Sequence, residues 1–365
     1  TDVQTGELHA MRQALALALK GWGRVAPNPL VGAVLLKNGE VVGVGYHREY
    51  GAPHAEVEAL SACDDPHGTT CVVNLEPCSH RGQTPPCTDA LLMTGVVRVV
   101  AAVRDRDPKA RGGVEYLRRH GVEVEVGLAR EEAAALNAPF LWAHARAHRP
   151  FVALKLATSL DGFIADKWGT SKWITGGAAR DHAYWLRAGF DAIAVGRRTA
   201  DRDDPMLTAR GTVQPRIPPK RVVFSRRGVL RSDLQLVSGA DAVPTILLTS
   251  SESRQSATQA LAGSAVRVLE AAGLEQALEE LRREGVTSLL LEGGAELAAS
   301  FLDANLVDRI YWYQAPMLLG AGLRAFPQRT AIQLTEAQVW VPTERKTLGD
   351  SNLLVVDREL CLPGS

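Results

Sequence analysis

The sequence predicts an α/β protein of two domains in tandem. Three observations carry that expectation. The chain has 365 residues, well beyond one ordinary domain of about 150. Each half alternates short apolar strand segments with helix-spaced segments, the order that builds a mostly parallel sheet covered by helices. A break at His148-Arg149-Pro150 separates the two sets.

In the first half, Leu8, Met11, Leu15 and Leu19 recur at helical spacing, so an amphipathic helix is expected to end near Gly21. Val31 to Lys37 and Glu40 to His47 read as strands joined by Asn38-Gly39, a strong two-residue hairpin signal. His54 to Cys63 reads as a helix, Thr70 to Leu75 as a buried strand and Thr88 to Thr94 as a helix. Strands are expected at Val96 to Val103 and Val122 to Val126, and a helix from Arg130 to about Ala147. The domain boundary falls between Asn137 and Pro150, giving domains 1–147 and 150–365. The second half opens on a strand at Phe151 to Ala157. Further strands are expected at Ala192 to Val195, Arg221 to Phe224, Thr245 to Leu248, Ser288 to Leu291 and Arg309 to Tyr313. Helices are expected at Ala178 to Arg187, Leu274 to Arg283 and Ala295 to Leu302, and Gln214 to Lys220, with three prolines, as a surface loop.

Composition narrows the function. Lys+Arg and Asp+Glu are 41 each, and this neutral balance disfavours a non-specific binder of nucleic acid or anionic membrane. Five cysteines are too few and of the wrong parity for a disulfide framework. There is no run of 18 apolar residues, and Thr1 to Glu7 lacks the basic-then-apolar layout of a secretory signal. A soluble, cytoplasmic protein is expected, with no nucleic-acid or membrane partner.

The sharpest local pattern is His54-Ala55-Glu56 with Pro77-Cys78 and Cys87. One imidazole and two thiolates supply three zinc ligands and leave a fourth position open, the catalytic rather than the structural arrangement. Zinc so held lowers the pKa of water to about 7. Glu56, two residues after His54, stands beside the metal without binding it and can shuttle protons. The H-x-E and P-C-x-x-C signature of zinc nucleobase deaminases differs in one respect: here eight residues separate the two cysteines. Read without that signature, Cys78 and Cys87 are buried thiols and His54 caps a helix. Cys63, Cys71 and Cys361 are expected to be plain thiols.

The run from Leu75-Glu76-Pro77-Cys78-Ser79-His80 through Gly82-Gln83-Thr84-Pro85-Pro86-Cys87 resembles the deaminase domain of the RibD family, the bifunctional deaminase/reductases of riboflavin biosynthesis. Pro27-Asn28-Pro29-Leu30-Val31-Gly32 and Gly45-Tyr46-His47 share the resemblance. It implies a cytidine-deaminase-like three-layer domain with zinc ligands His54, Cys78 and Cys87, Glu56 as proton shuttle and Asn28 against the base. A carboxamide both donates and accepts, which suits an aminopyrimidinone edge; a turn residue between two prolines is the other reading of Asn28. Gln83 stands where the family often carries Lys or Arg, and Arg81 is the nearby cation. Asp105-Arg106-Asp107-Pro108 replaces the family's Asp-Pro-Asn-Pro turn.

In the second half, Phe151 to Gly162, Ser171-Lys172-Trp173-Ile174-Thr175, Asp203-Asp204-Pro205, Leu207-Thr208 with Arg210, and Leu291-Glu292-Gly293-Gly294-Ala295 resemble the reductase domain of the same family. Two glycines before a helix admit a phosphate or make a plain tight turn. The resemblance implies a dihydrofolate-reductase-like fold using NADPH. It places Ala157, Trp173, Thr199, Asp203, Gly294 and Ala295 at the cofactor, and Ser171, Arg187, Leu207, Arg210 and Glu292 at the substrate. It also places Lys155 in the same cleft as a candidate acid. From the residues alone, Lys155 is equally a strand-edge lysine, Trp173 a core residue and Arg187 a helix-ending cation. Phe163 and Ser225-Arg226 depart from the family's Lys and Asp-Thr. The implied ligand is a phosphorylated pyrimidine, and the implied assembly a homo-oligomer. Three other readings stay open: a deaminase with a degenerate second domain, a tRNA or nucleotide deaminase, and a structural zinc protein.

Overall fold

Asn38 and Gly39 both take positive φ, 53° and 84°, as the two-residue turn between the first strands requires. They join β1 (Gly32–Lys37) to β2 (Glu40–Tyr46), which pair antiparallel from Gly32 opposite Tyr46 to Lys37 opposite Glu40. The computed structural model describes residues 2–80, 85–171, 174–326 and 333–362. The chain divides into two units, Thr1–Ala145 with Leu360–Ser365, and Arg146–Glu359.

The first unit continues with β3 (Thr70–Leu75), β4 (Arg98–Val103) and β5 (Glu123–Val126) in a sheet of order β2-β1-β3-β4-β5. β1 lies antiparallel to β2 and β3, whereas β3, β4 and β5 are parallel. Strand alternation sends side chains to both faces. Ala33 and Leu35 pack with α2 (Ala55–Ser61), α3 (Cys87–Met93) and α4 (Gly113–Arg119) through Ala59, Leu91 and Leu117. Val34 and Leu36 pack the opposite way, on Met11 and Ala14 of α1 (Asp2–Ala18). The result is three layers, helix on sheet on helix. Gly32 lets α1 lie close: a Cβ there would sit 2.0 Å from the Ala14 carbonyl oxygen.

The sequence reading does not anticipate α4, and two further features of the first unit differ from it. The expected helix from Arg130 to Ala147 is α5 (Arg130–Leu136) and α6 (Ala138–Ala145), broken at Asn137. Pro139 lacks the N–H for a continuous helix and its ring would strike the carbonyl one turn back. The chain's end also returns: Cys361 is buried among Met11, Val34 and Leu141, so the last residues join the first unit rather than the second.

The second unit is built on a nine-stranded sheet of order β11-β10-β9-β8-β12-β6-β13-β16-β15. Its strands are β6 (Phe151–Thr158), β8 (Ala192–Gly196), β9 (Lys220–Phe224), β10 (Thr245–Thr249), β11 (Arg267–Glu270), β12 (Ser288–Glu292), β13 (Arg309–Gln314), β15 (Val341–Leu348) and β16 (Ser351–Asp357). β7 (Phe163–Asp166) and β14 (Gly322–Arg324) form a separate ribbon. All pairs up to β13 are parallel, and the closing hairpin β15–β16 is antiparallel. One face of β6, Val152, Leu154 and Leu156, packs on the helices Leu274–Arg283 and Ala295–Asp303. The other carries Lys155, across the face from α7 (Gly177–Arg187). Parallel strands leave a crevice at their carboxyl ends, and the Gly293-Gly294 junction after β12 opens there. No described helix is long and apolar enough to cross a membrane.

Candidate active sites

His54 is the N-cap of α2, so Glu56 falls in the first turn and is buried, 3% exposed. Cys78 follows β3, and Cys87 opens α3. His54 Nδ1 lies 3.2 Å from Cys87 Sγ and 3.5 Å from Cys78 Sγ. All three donor atoms lie within 4.8 Å of one another. The Cys87 backbone N–H donates to Cys78 Sγ at 3.4 Å. None of the five cysteines is in a disulfide. Burial, with the Cys78 thiolate adding, pushes the Glu56 carboxyl up to about 7. The Cys87 thiol's hydrogen bond, followed by His54, pulls the Cys78 thiol down. A nitrogen and two sulfurs within 4.8 Å of one another are a donor set that fits zinc.

The surrounding positions are held by residues the sequence reading passed over. Asn28 Nδ2 lies 3.1 Å from His47 Nε2, whose Nδ1 lies 3.1 Å from the Pro53 carbonyl. The carbonyl fixes the proton on Nδ1, leaving Nε2 to accept from Asn28; the Asn28 carbonyl is thereby turned away from His47. Two buried amides fasten the segment after Asn28. Asn137 Oδ1 accepts from Leu30 N at 2.9 Å while its Nδ2 donates to Leu30 O at 2.8 Å. Asn74 bonds Gly32 N and Leu30 O in the same manner. Glu76, 3% exposed, accepts from the backbone N–H of Asp105, Gly112 and Val114 at 3.0–3.1 Å. It ties the loop after β4 to the cysteine segment. His80 Nδ1 is buried with no hydrogen-bond partner among the described residues. Arg81 and Gln83 lie outside the described residues.

In the second unit, Lys155 on β6 stands opposite Glu292 on β12 and Tyr311 on β13. Arg187, the last residue of α7, grips Glu292 with two bonds of 2.7 and 2.8 Å. Burial works against the Glu292 charge, yet Arg187 and then Lys155 hold its carboxyl below the ordinary range. Burial lowers the Lys155 ammonium, Glu292 opposing and Arg187 adding. Lys155 Nζ sits 5.6 Å from the Tyr313 ring, and the Tyr313 hydroxyl is 2.8 Å from His182 Nδ1. His182 and Tyr313 had no signal in the sequence reading.

A cavity of about 750 Å³ opens at the strand ends, lined among others by Thr199, Arg226, Ser250, Gly294 and Ala295. Gly293 and Gly294 take φ of 70° and 83°, and Cβ atoms there would stand 3.4 and 3.3 Å from Thr199. This glycine cradle before the helix Ala295–Asp303 suits the pyrophosphate of a dinucleotide. Of the other cofactor positions, Ala157 lies at the end of β6, opposite Tyr313. Asp203 ends the helix Arg197–Asp203 in an ion pair with Arg202, outside the cavity lining. Trp173 lies outside the described residues, and Ser171 is partly exposed next to it.

The positions that the resemblance assigns to the substrate lie in different surroundings. Leu207 is 2% exposed in a core cluster with Ile193 and Val223, so its side chain faces the core; only its backbone, at φ 48°, is left to meet a ligand. Arg187 and Glu292 are each other's partner before any ligand arrives. Arg210 is exposed, bonds Thr208 Oγ1 at 3.2 Å and meets no carboxylate among the described residues.

Comparison with known proteins agrees with both halves. Residues 5–103 match the cytidine and deoxycytidylate deaminase zinc-binding region, and residues 150–347 match the RibD C-terminal domain. The riboflavin biosynthesis protein RibD of Aquifex aeolicus is 41% identical over 315 residues, 86% of this chain and 88% of that one. The protein of the same description from Escherichia coli is 39% identical over 330 residues, 86% and 89%. A crystal structure from Thermotoga maritima is that of a diaminohydroxyphosphoribosylaminopyrimidine deaminase/5-amino-6-(5-phosphoribosylamino)uracil reductase. It superposes with a TM-score of 0.81 at 34% identity, over 97% of this chain and 99% of that one. Two sites of different chemistry on one chain therefore have one explanation: the chain belongs to the RibD family, as a riboflavin-biosynthesis enzyme that joins a zinc-dependent deaminase domain to an NADPH-using reductase domain.

Proposed function

We propose that the first unit deaminates 2,5-diamino-6-ribosylamino-4(3H)-pyrimidinone 5′-phosphate, and that the second reduces the product's ribosyl chain to give 5-amino-6-ribitylaminouracil 5′-phosphate. The observation that carries the reading is the buried Glu56 carboxyl beside the His54, Cys78 and Cys87 donors. Zinc bound by those three side chains supplies Lewis acidity to water. Glu56 takes a proton from the water whose oxygen bonds to the ring carbon bearing the 2-amino group. It passes that proton to the ring nitrogen, then carries the proton of the new hydroxyl to the amino nitrogen, so that the carbon–nitrogen bond breaks with loss of ammonia as the ring carbon's oxygen becomes a carbonyl. Asn28 holds the base edge.

In the second unit, NADPH in the glycine-lined cavity supplies the hydride that C1 of the ribosyl group receives. Lys155 gives the ring oxygen its proton as the C1–oxygen bond opens. Glu292, fixed by Arg187, accepts from substrate N–H or hydroxyl groups, and Arg210 meets the phosphate. The proposal extends to a cytoplasmic homo-oligomer acting without nucleic acid. The equal counts of 41 basic and 41 acidic residues support the last point.

Stripping the metal with a chelator tests the division of labour. Ammonia release should be lost and restored by zinc, while NADPH oxidation on the pre-deaminated substrate continues unchanged. Loss of both activities would contradict it. Arg226, exposed on the cavity rim, is assigned to the cofactor's 2′-phosphate by the logic of other dinucleotide sites. Arg226→Ala should raise KM for NADPH more than for NADH, and equal changes would remove the assignment.

A further inference from the structure

A lysine that delivers a proton must hold its ammonium in one place, and a flexible four-carbon stem does not do that by itself. Lys155 is half-buried on β6, and its Nζ makes no hydrogen bond or ion pair among the described residues. Arg187 has already taken both oxygens of the neighbouring Glu292, so that carboxylate attracts the ammonium without gripping it. The group that Lys155 does meet is a ring. Its Nζ stands 5.6 Å from the centre of Tyr313, inside the roughly 6 Å over which an aromatic face attracts a cation.

Tyr313 lies two residues beyond Tyr311, which is in register with Lys155, so both tyrosines share the lysine's face of the sheet. It is 1% exposed. A tyrosine ring has only a broad preference about its last rotatable bond. Here its hydroxyl is fixed, 2.8 Å from His182 Nδ1. His182 comes from α7, its ring 5.1 Å from that of Trp185 one turn on. Burial, with Lys346 adding, holds the His182 imidazole down to about 4, and burial pushes the Tyr313 hydroxyl up. Both groups are therefore neutral near pH 7, and the bond between them persists there. The same helix ends on Glu292 through Arg187. α7 is thus pinned on either side of the lysine's strand, to β12 through Arg187 and to β13 through His182.

We infer that His182 and Tyr313 are positioning residues for the reductase: their hydrogen bond fixes the ring face against which the Lys155 ammonium is held for the reacting sugar. This rests on Lys155 being the proton donor, as read above.

The test follows NADPH oxidation on the pre-deaminated substrate by the full chain. His182→Leu and Tyr313→Phe each break the one bond and should lower kcat about tenfold, with both KM values nearly unchanged. The double variant should be no slower than either single one. His182→Asn, whose carboxamide both donates and accepts near the place of Nδ1, should restore most of the rate. Tyr313→Leu removes the ring as well, and with it a contact that favours the charged lysine. The alkaline limb of kcat/KM should then lie about one pH unit lower. Glu292, Arg187 and Tyr311, with Glu344 and Lys346 of β15, are the titratable and charged groups that still face the site. Placed on Lys155→Met, none of these changes should cost anything further. NADPH binding reports an intact second unit; if Tyr313→Leu fails it, the cycle of His182→Leu and Tyr313→Phe decides. A further tenfold loss on Lys155→Met, additive losses in the double variant, no loss in the single ones or an unmoved limb in Tyr313→Leu overturns the positioning role and leaves Lys155 as donor. Wild-type reduction by Lys155→Met removes the donor and this inference together.

Discussion

Glu56→Gln is expected to lower ammonia release at least about a thousandfold, since one positioned acid–base group contributes up to about 10⁴. Glutamine keeps the shape of the buried side chain, which is 3% exposed at the start of α2, but it cannot carry a proton from water to the ring. His54, Cys78 and Cys87 keep their places, so zinc content should stay at the wild-type level. The variant should still oxidise NADPH when given pre-deaminated substrate, because Lys155 and Glu292 belong to the other unit. A Glu56→Gln enzyme that deaminates within tenfold of wild type would remove Glu56 from the chemistry.

Lys155→Met should have the second large effect, a fall of about 10² to 10⁴ in NADPH oxidation on the pre-deaminated substrate, with deamination untouched. Lys155 lies in register with Glu292 and Tyr311 on neighbouring strands, and Arg187 closes the group through Glu292. Burial first, then Arg187, lowers the ammonium's pKa against the pull of Glu292. An acid must be protonated to act, so reductase kcat/KM should fall as pH rises through a value below that of an ordinary lysine. His182, which burial holds down to about 4, stays neutral throughout that range and contributes no limb. Lys155→Arg keeps the charge but not a transferable proton, so it should lose the rate and the alkaline limb together. A Lys155→Met enzyme with wild-type reduction would leave Lys155 as packing alone.

The parts of these sites that could be read from sequence are local ones. His54 and Glu56 share one helical turn, Asn38-Gly39 dictates its own turn, and the two glycines before Ala295 announce a close backbone approach. The alternating apolar segments mark every strand of the first sheet and β6, β8, β9, β10, β12 and β13 of the second, whereas β11, short and nowhere fully buried, carries no such mark. What escaped depends on long-range pairing. Pro139 accounts locally for the break between α5 and α6, but that Asn137 at the break bonds Leu30 across 107 positions is not visible in any local pattern. His47, Asn74 and Glu76 look like ordinary strand-end polar residues until the fold brings their partners. Leu207 matches a substrate position by motif, but its side chain is claimed by the core around Ile193. The closing hairpin β15–β16 was missed although β16 alternates buried and less buried residues along its length; β15, exposed over most of its length, offers no such period.

The most direct measurement gives the wild-type, zinc-loaded chain the diaminopyrimidinone ribotide with NADPH and follows ammonia and NADPH oxidation together. Ammonia should appear first, NADPH oxidation should follow after a lag, and the two should end at one to one. NADPH oxidation that begins without ammonia release, or ammonia release that is never followed by NADPH oxidation, would contradict deamination followed by reduction on one chain.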